Sequence, residues 1–376
     1  MSQSRSKTFK KVVFALIAIV LIGIGVKLAV TMISFAPVVY EFAFNKGIDL
    51  KQTTDQRVNI LLLGVGGGKH DGPYLTDTII FISIDPSLKE VKMITLPRDL
   101  WITDINAKVN TAYAKGLKSG KGLALSKASV GKVLGQKIDY GFRIDFNGFI
   151  KAVDRLGGIT VNVERTFDDY EYPITGSESD TCGFEGEEFE KRATEEAEKQ
   201  LEAFPCRYEH LHFDKGVQNM DGETALKYVR SRHAAGDEGT DFARSKRQEN
   251  VINAVKDKVF SVGTLLDPIK IANLYDVFKD SIDTDIKKEE YDDFVKLAQK
   301  MKGTTIESSV IDDSDDLKLG AGLLINPPIS DTYGGQYVLV PKKGPTDFSN
   351  IHSYVTCFVE HEGCLSPSPS PSKKVN

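Results

Sequence analysis

Basic residues are not in excess: 48 Lys and Arg stand against 53 Asp and Glu, a formal net charge of −5. Broad, sequence-blind grip on nucleic acid needs a basic surface, so no nucleic-acid partner is expected. Cysteine is scarce, with four residues in 376 and no CxxC among them. The histidines lack zinc-ligand spacing, so a zinc site is not expected either. No Ser-His-Asp arrangement and no catalytic cysteine is legible. The glycine-rich stretch GVGGGKH, from Gly64, is not a nucleotide loop: only three residues separate Gly64 from Gly68, where a P-loop has four. His70 stands where its hydroxyl should be, and Lys69 occupies the third glycine position of a dinucleotide fingerprint. A loop whose backbone lets a phosphate or metal approach closely is still compatible with it. There is no internal repeat of domain size.

The N-terminus carries what the rest of the chain lacks, a long apolar run. Arg5, Lys7, Lys10 and Lys11 precede Val12–Val26, and after Lys27 the run continues from Leu28 to Val39. As helix, 12–39 would be ~40 Å long, against a hydrocarbon core of ~30 Å. Residues 1–11 are therefore expected as a cytoplasmic basic tail, 12–39 as a single-pass signal anchor in the cell membrane, 40–57 as a linker, and the rest as extracytoplasmic. A cleaved signal peptide is the alternative; the run is long for one, and no clear A-x-A site follows. The cysteines fall as two local pairs, Cys182 with Cys206 and Cys357 with Cys364, suited to disulfides in an oxidising compartment. Four cysteines allow three connectivities, and the sequence does not choose among them.

After the linker, apolar runs at 58–65, 78–84 and 91–96 read as strands, with Asp85-Pro86-Ser87 as a turn. Residues 123–134 and 147–156 read as helices, and 159–163 as a strand after Gly157-Gly158. Strands interleaved with helices give an α/β domain. Residues 166–215 look like an insertion. Within them, Phe189, Ala193, Ala197 and Leu201 predict a charged amphipathic helix over 185–202, bracketed by Cys182 and Cys206. Helices are expected over 221–228, 241–260 and 287–301, and strands over 304–311 and 336–340. The Ser/Pro tail 366–376 lacks core-forming residues and reads as disordered.

Chemistry concentrates in a few places. Asp77 stands just before a strand's apolar core. Arg98 and Asp99 follow Pro97 at the C-terminal end of another strand, the edge where open α/β sheets bind ligands. The densest segment is YVRSRHAAGDEGTDFARSKRQENVINAV, residues 228–255. There Arg230 and Arg232 sit where one helix should end. Asp241 is placed to cap the next, whose first turns carry Arg244, Arg247 and Gln248 on one face. Arginines at a helix N-terminus oppose the macrodipole but suit a bound polyanion. Two acids, a glycine loop and several arginines are parts for a pyrophosphate, with carboxylates holding Mg2+ or Mn2+.

In order, NILLLG (59–64), LTDTIIFISID (75–85), ITLPRD (94–99), KVNTAYAKG (108–116), GGITVNV (157–163), DGETALKYVRSR (221–232) and DFARSKRQENVINAV (241–255) resemble the LytR-CpsA-Psr family over about 200 residues. The resemblance implies a central mixed sheet flanked by helices, with an apolar pocket for a polyprenyl tail. Residues 58–263 would form the catalytic domain and 264–365 a C-terminal extension packed on it or following it. It also implies a Mg2+-dependent phosphotransferase moving a glycopolymer from a polyprenyl-pyrophosphate carrier to a hydroxyl of peptidoglycan or another envelope acceptor. Hydrolysis of the lipid pyrophosphate and non-catalytic glycopolymer binding are the alternatives. Asp77 would lie at the metal. Arg98, Arg230, Arg232 and Arg244 would hold the pyrophosphate, flanked by Arg247 and Gln248, and Asp99 would orient Arg98 or assist proton transfer. The sequence departs from the family at GGGKHDG, where an Asp is usual in the loop after the first strand; Asp71 is expected to supply that carboxylate.

Overall fold

The computed structural model of the chain describes residues 47–52, 56–68, 72–87, 89–194, 200–259, 261, 281–301, 303–313 and 322–360. The apolar segment 12–39, Lys69, His70, Asp71, Cys364 and the 366–376 tail lie outside the described residues. Among the described residues no helix is long and apolar enough to cross a membrane. The chain divides into two compact units, 1–50 with 287–297, and 51–286 with 298–376.

The second unit is framed by a mixed sheet of β1 (Val58–Val65), β2 (Thr76–Asp85), β3 (Glu90–Thr95), β6 (Tyr140–Asp145), β11 (Ile282–Thr284) and β12 (Ile306–Val310), in the order β11-β6-β1-β2-β3-β12. β1 is antiparallel to β2 and parallel to β6. Its sequence VNILLLGV is apolar apart from Asn59, and along it fully buried Leu61, Leu63 and Val65 alternate with half-buried Ile60, Leu62 and Gly64. Short β4 (Trp101–Ile102) pairs with β5 (Ala107–Lys108), and β7 (Ile159–Val163) pairs with β10 (Gly216–Met220). β8 (Phe167–Pro173) pairs with β9 (Tyr208–Phe213), and β13 (Leu324–Ile325) with β14 (Val340–Pro341). The helices are α1 (Ala112–Leu117), α2 (Gly122–Leu134), α3 (Phe146–Arg155), α4 (Gly186–Ala193), α5 (Gln200–Ala203), α6 (Gly222–Arg230), α7 (Asp241–Val259), α8 (Tyr291–Lys300) and α9 (Ser349–Glu360).

On one face of the sheet Leu61, Leu63, Phe81 and Ile94 pack with Val130 and Val133 of α2 and with Ile351 and Val355 of α9. α7 lies over the other: Thr95 and Ser245 share a hydrogen bond (2.9 Å), and Ser308 donates to Glu249 (2.5 Å). A second core joins Val153, Val161, Phe213, Tyr228 and Val251, so α3, α6, α7 and the two ribbons β7-β10 and β8-β9 pack as one body. In the first unit, Lys296 is paired with Asp292 (2.7 Å) and Asp293 (3.3 Å) along the face of α8.

Several expectations shift. β2 begins at Thr76, so Asp77 is inside the strand: a register shift between Gly64 and Val65 lets pairing run on to Thr76. β11 and β12, from the C-terminal part, are edge strands of the central sheet. The helix expected over 185–202 is described as α4 and α5, with 195–199 outside the described residues. The strand expected over 336–340 is confined to Val340–Pro341. Asp241 is not the cap of α7. Thr240 Oγ1 accepts the Ala243 N–H (3.2 Å), and Asp241, as first helical residue, faces Arg244 instead. Cys182 and Cys206 are bonded to each other, Cα–Cα 5.6 Å, and Cys357 is likewise in a disulfide.

Candidate functional site

Asp77 and Arg98 meet across β2 and the end of β3. Arg98 Nη1 donates to Asp77 Oδ1 at 2.6 Å, and its Nε faces Asp99 Oδ2 at 3.5 Å. Asp99 Oδ1 accepts from Lys108 Nζ at 2.7 Å. The segment holding Lys108 is strapped beneath this turn: Val109 N donates to Leu100 O (2.7 Å), Asn110 N to Arg98 O (3.3 Å), and Thr76 Oγ1 to Asn110 O (3.2 Å). Burial opposes the charge of Arg98, but the hydrogen bond to Asp77 and the charges of Asp77 and Asp99 outweigh it and raise its pKa.

Arg232, beyond the end of α6, and Arg244, in the first turns of α7, come close enough to Arg98 for their charges to act on one another. Desolvation and the like charges of Arg244 and Arg98 lower the pKa of Arg232 to about 10, against the pull of Asp241 and Asp99. Arg244 is also lowered, chiefly by burial and then by Arg98 and Arg247; Asp241, 2.7 Å from its Nη2, opposes this. Three cations from distant parts of the chain thus converge where each disfavours the others. Among the described residues, Arg98 Nε, Asn110 Oδ1 and Gln248 Oε1 are buried with no hydrogen-bond partner. Such atoms mark places where a ligand or water completes a site.

The remaining expected residues divide by role. Arg230 ends α6, donates to Tyr172 Oη (3.1 Å) and lies over the ring of Phe146, 4.4 Å from its centroid. Arg247 is buried. Its Nε bonds Tyr228 O (3.1 Å), Nη2 bonds Ser231 O (2.7 Å), and Nη1 bonds Glu238 O (2.9 Å) and Oε2 (3.0 Å). It ties the end of α6 to the start of α7. The glycine loop turns tightly against α3: Gly67 has φ +68, and a Cβ there would stand 2.7 Å from that of Asp145. Lys108, Asp169 and Tyr172 carry geometry that reading the sequence did not assign, and Asp241, expected as a cap, pairs with Arg244 instead. Lys108 lies within KVNTAYAKG, which was the available signal.

Beside the charged cluster runs an apolar lane. On the sheet face shared with Thr95, register aligns Ile60 with Ile82, Leu62 with Phe142, and Gly64 with Ile144 and Thr78. Ile60, Leu62, Ile82, Phe142 and Ile144 are each half-buried, where Leu61, Leu63, Ile79 and Phe81 on the opposite face are fully buried. The lane leads along β1 toward Thr78 and thus to the strand end that bears Asp77.

A model of the LytR_cpsA_psr family matches residues 38–325. The teichoic acid transferase TagV of Bacillus subtilis (strain 168), by its full name a polyisoprenyl-teichoic acid–peptidoglycan teichoic acid transferase, is 27% identical over 290 residues, 73% of this chain and 62% of that protein. The chain spans about three fifths of the length of the curated relatives it matches. The crystal structure of B. subtilis TagV superposes with a TM-score of 0.51 at 23% identity, covering 83% of this chain and 100% of that one. A structure of TagT bound to LIIa-WTA superposes with a TM-score of 0.50 at 19% identity, covering 84% and 95%. These likenesses establish the mixed α/β fold.

Proposed function

The chain belongs to the LytR-CpsA-Psr family, and on that premise we propose that it is a membrane-anchored, extracytoplasmic phosphotransferase. It moves a glycopolymer from a polyprenyl-pyrophosphate carrier to a hydroxyl of peptidoglycan or another envelope acceptor. The observation that carries this reading is the convergence of Arg98, Arg232 and Arg244, whose mutual repulsion a pyrophosphate would relieve. The relatives TagV and TagU are each named a polyisoprenyl-teichoic acid–peptidoglycan teichoic acid transferase, which supports the same class of donor and acceptor here.

Arg98, Arg232 and Arg244 bind the pyrophosphate oxygens, with Arg230 at the edge. Asp99, which Lys108 holds in turn, flanks the Nε side of Arg98 and fixes the orientation of its guanidinium. Gln248 offers a buried acceptor oxygen, and Arg247 fixes the segment between α6 and α7 on which the others stand. The half-buried lane of Ile60, Leu62, Ile82, Phe142 and Ile144 takes the polyprenyl chain. The acceptor oxygen forms a bond to the phosphorus that bears the sugar. The bond from that phosphorus to the bridging oxygen breaks, and the hydroxyl proton ends on the departing lipid phosphate. The arginines stabilise charge that grows on the phosphoryl oxygens and the leaving group.

Mg2+ or Mn2+ fits this donor set in kind. Asp77 gives Oδ1 to Arg98, and its Oδ2 makes no hydrogen bond among the described residues. One or two carboxylates with substrate phosphates and water suffice for Mg2+. We assign Asp77 as the first, with Asp71 as its candidate companion. The ion would supply charge neutralisation at the phosphoryl oxygens. Residues 12–39 are assigned as the anchor, with the N-terminus cytoplasmic.

The test uses the full-length chain in detergent with a labelled polyprenyl-pyrophosphoryl disaccharide, purified cell wall and Mg2+. Label should reach the wall, and should fail to do so with EDTA, Arg98→Ala or Asp77→Ala. Lipid phosphate released with no label on any acceptor would turn the reading to hydrolysis. Tight lipid binding with no turnover in any divalent metal would remove the enzymatic reading.

A further inference from the structure

Arg230 is the last residue of α6, whereas Arg232 lies beyond it and is not held by the helix. Ser231 ends the helix with φ −51 and ψ 130, so the backbone of 231–233 leaves the helical path. Those residues need an outside partner for their polar groups, and one buried carboxylate provides it. Asp169, on β8 and fully buried at 0% exposure, accepts through Oδ2 from Ser231 Oγ (2.6 Å), Arg232 N (3.1 Å) and His233 N (3.2 Å). Its Oδ1 accepts from Glu171 N (3.0 Å). Two consecutive backbone N–H groups and a hydroxyl therefore converge on one oxygen, as they do around a bound anion.

The neighbours of Asp169 act on the same segment. The strand bridges Asp169 to Ala234, and Ala235 N donates to Asp168 O (3.1 Å). Tyr172, three positions along β8, accepts from the Arg230 side chain at 3.1 Å. On the other flank Arg247 bonds Ser231 O. Residues 231–235 thus lie between β8 and α7, with Arg232 carried on a backbone that β8 shapes and the Arg230 side chain, on the last turn of α6, bonded to Tyr172 of β8. β8 belongs to the region 166–215, whose central loop is closed by the Cys182–Cys206 disulfide.

We propose that Asp169 is a positioning residue for the pyrophosphate site: its carboxylate sets the backbone of 231–233 and through it the aim of Arg232, so that the inserted ribbon is part of the binding machinery and not an appendage. This rests on the reading of the arginine cluster as a pyrophosphate site. A neutral amide at 169 keeps the shape, but it loses the negative charge, and its nitrogen cannot accept. The segment 231–233 should then loosen while the core of the fold stays.

The experiment compares full-length wild type, Asp169→Asn, Arg232→Ala and the double variant. It reads hydrogen exchange at the amides of 232 and 233, and affinity for inorganic pyrophosphate with Mg2+. The expected result is loss of protection at 232 and 233 in Asp169→Asn with α7 and the central sheet still protected, and pyrophosphate affinity weakened at least tenfold. In the Arg232→Ala background the Asp169→Asn change should add little, because both act through one group. A merely structural role would instead lower protection everywhere and add in full to the Arg232→Ala loss. Unchanged protection at 232 and 233, or unchanged affinity beside an impaired Arg232→Ala, overturns this inference alone. If Asp169→Asn does not fold, Ser231→Ala, which removes one of the three donors, should give a smaller effect in the same pattern, and its absence would also overturn the inference. Failure of wild type to bind pyrophosphate overturns the reading of the site, and this inference with it.

Discussion

Arg98 donates to Asp77 through Nη1 at 2.6 Å, while its buried Nε faces Asp99 Oδ2 at 3.5 Å. The guanidinium is anchored to the strand beside it through Nη1 and flanked by the Asp99 carboxylate at Nε, so two acids fix its orientation. An Arg98 guanidinium held this way is pre-organised, because little rotamer freedom remains to be lost when an anion arrives.

From this geometry, Arg98→Ala should lower transfer by about 100- to 1000-fold, the cost typical of removing a charge-stabilising donor. Arg98→Lys should recover little, since a single ammonium cannot meet both Asp77 and Asp99 and still present a planar fork to a phosphate. Arg98 is 39% exposed, so thermal unfolding of either variant should stay close to the parent. A large fall in stability without a matching fall in rate would place Arg98 in the framework instead.

Arg232 allows a prediction of opposite sign for stability and binding. Its folded pKa, about 10, lies below the ordinary 12.5. A cation with a depressed folded pKa destabilises the fold wherever it is charged. At pH 7, below both values, that penalty is fully present, and it fades only as pH rises through about 10. Arg232 as a residue keeps solvent access although packing desolvates its guanidinium, so solvent screens much of the penalty. Arg232→Gln should therefore leave the ligand-free protein as stable as wild type or slightly more so, yet reduce the thermal shift produced by pyrophosphate. Calorimetry with and without pyrophosphate checks both halves, and a variant destabilised in the ligand-free state would contradict the first.

The sequence makes β1 and the arginines of 228–255 legible for plain reasons. VNILLLGV has no polar alternative, and cations at a helix start oppose the dipole unless an anion answers them. What stays hidden depends on tertiary partners. Asp241 reads as a cap because Asp is a good one, but Thr240 precedes it, is equally able, and leaves Asp241 for Arg244. Arg247 shares a helix face with Arg244, yet its donors go to Tyr228, Ser231 and Glu238, a bundle of backbone carbonyls that only the packed α6 end creates. β8 and β9 are masked by their charges: FDDYEYP and YEHLHF are too polar to read as strands until Phe167, Tyr172, Leu211 and Phe213 are seen to face one core. Asp169 is hidden for the same reason, as one acid among many.

The disulfide gives a prediction about that ribbon. Cys182 and Cys206 lie 24 positions apart, and closing a loop of that size restricts the unfolded chain by about 3 kcal/mol at 25 °C. The double variant Cys182→Ser with Cys206→Ser should lose about 2–4 kcal/mol, concentrated in α4 and its surroundings. The central sheet should keep its hydrogen-exchange protection. The serine pair is a cleaner probe than a reductant, because Cys357 is also in a disulfide. Loss of protection in β1 or β2 would show that the insertion supports the whole domain.

On the outer side of the same ribbon, Asp168 Oδ1 contacts both His210 Nε2 and His212 Nδ1 at 2.8 Å, and His212 Nε2 faces Asp214 at 3.3 Å. Hydrogen bonds to Asp168 and then Asp214 raise the pKa of His212 above its ordinary 6.5, and the two histidines lower that of Asp168 below 3.8. The stabilisation from His212 is full below pH 6.5 and is lost as pH rises through its raised folded pKa. That from Asp168 is full above pH 3.8 and is lost as pH falls through its lowered one. Both are present together between those limits. All three side chains are solvent-accessible, so the effect should be small and salt-sensitive, and it should be confined to β8 and β9. Imidazole NMR titration should place the midpoint of His212 above 6.5 and return it toward 6.5 in Asp168→Asn. An unshifted midpoint in wild type would mean that the carboxylate contact does not persist in solution, and raising the pH through neutrality should then leave the exchange rates of the β8 and β9 amides without the extra loosening expected from losing the His212 charge.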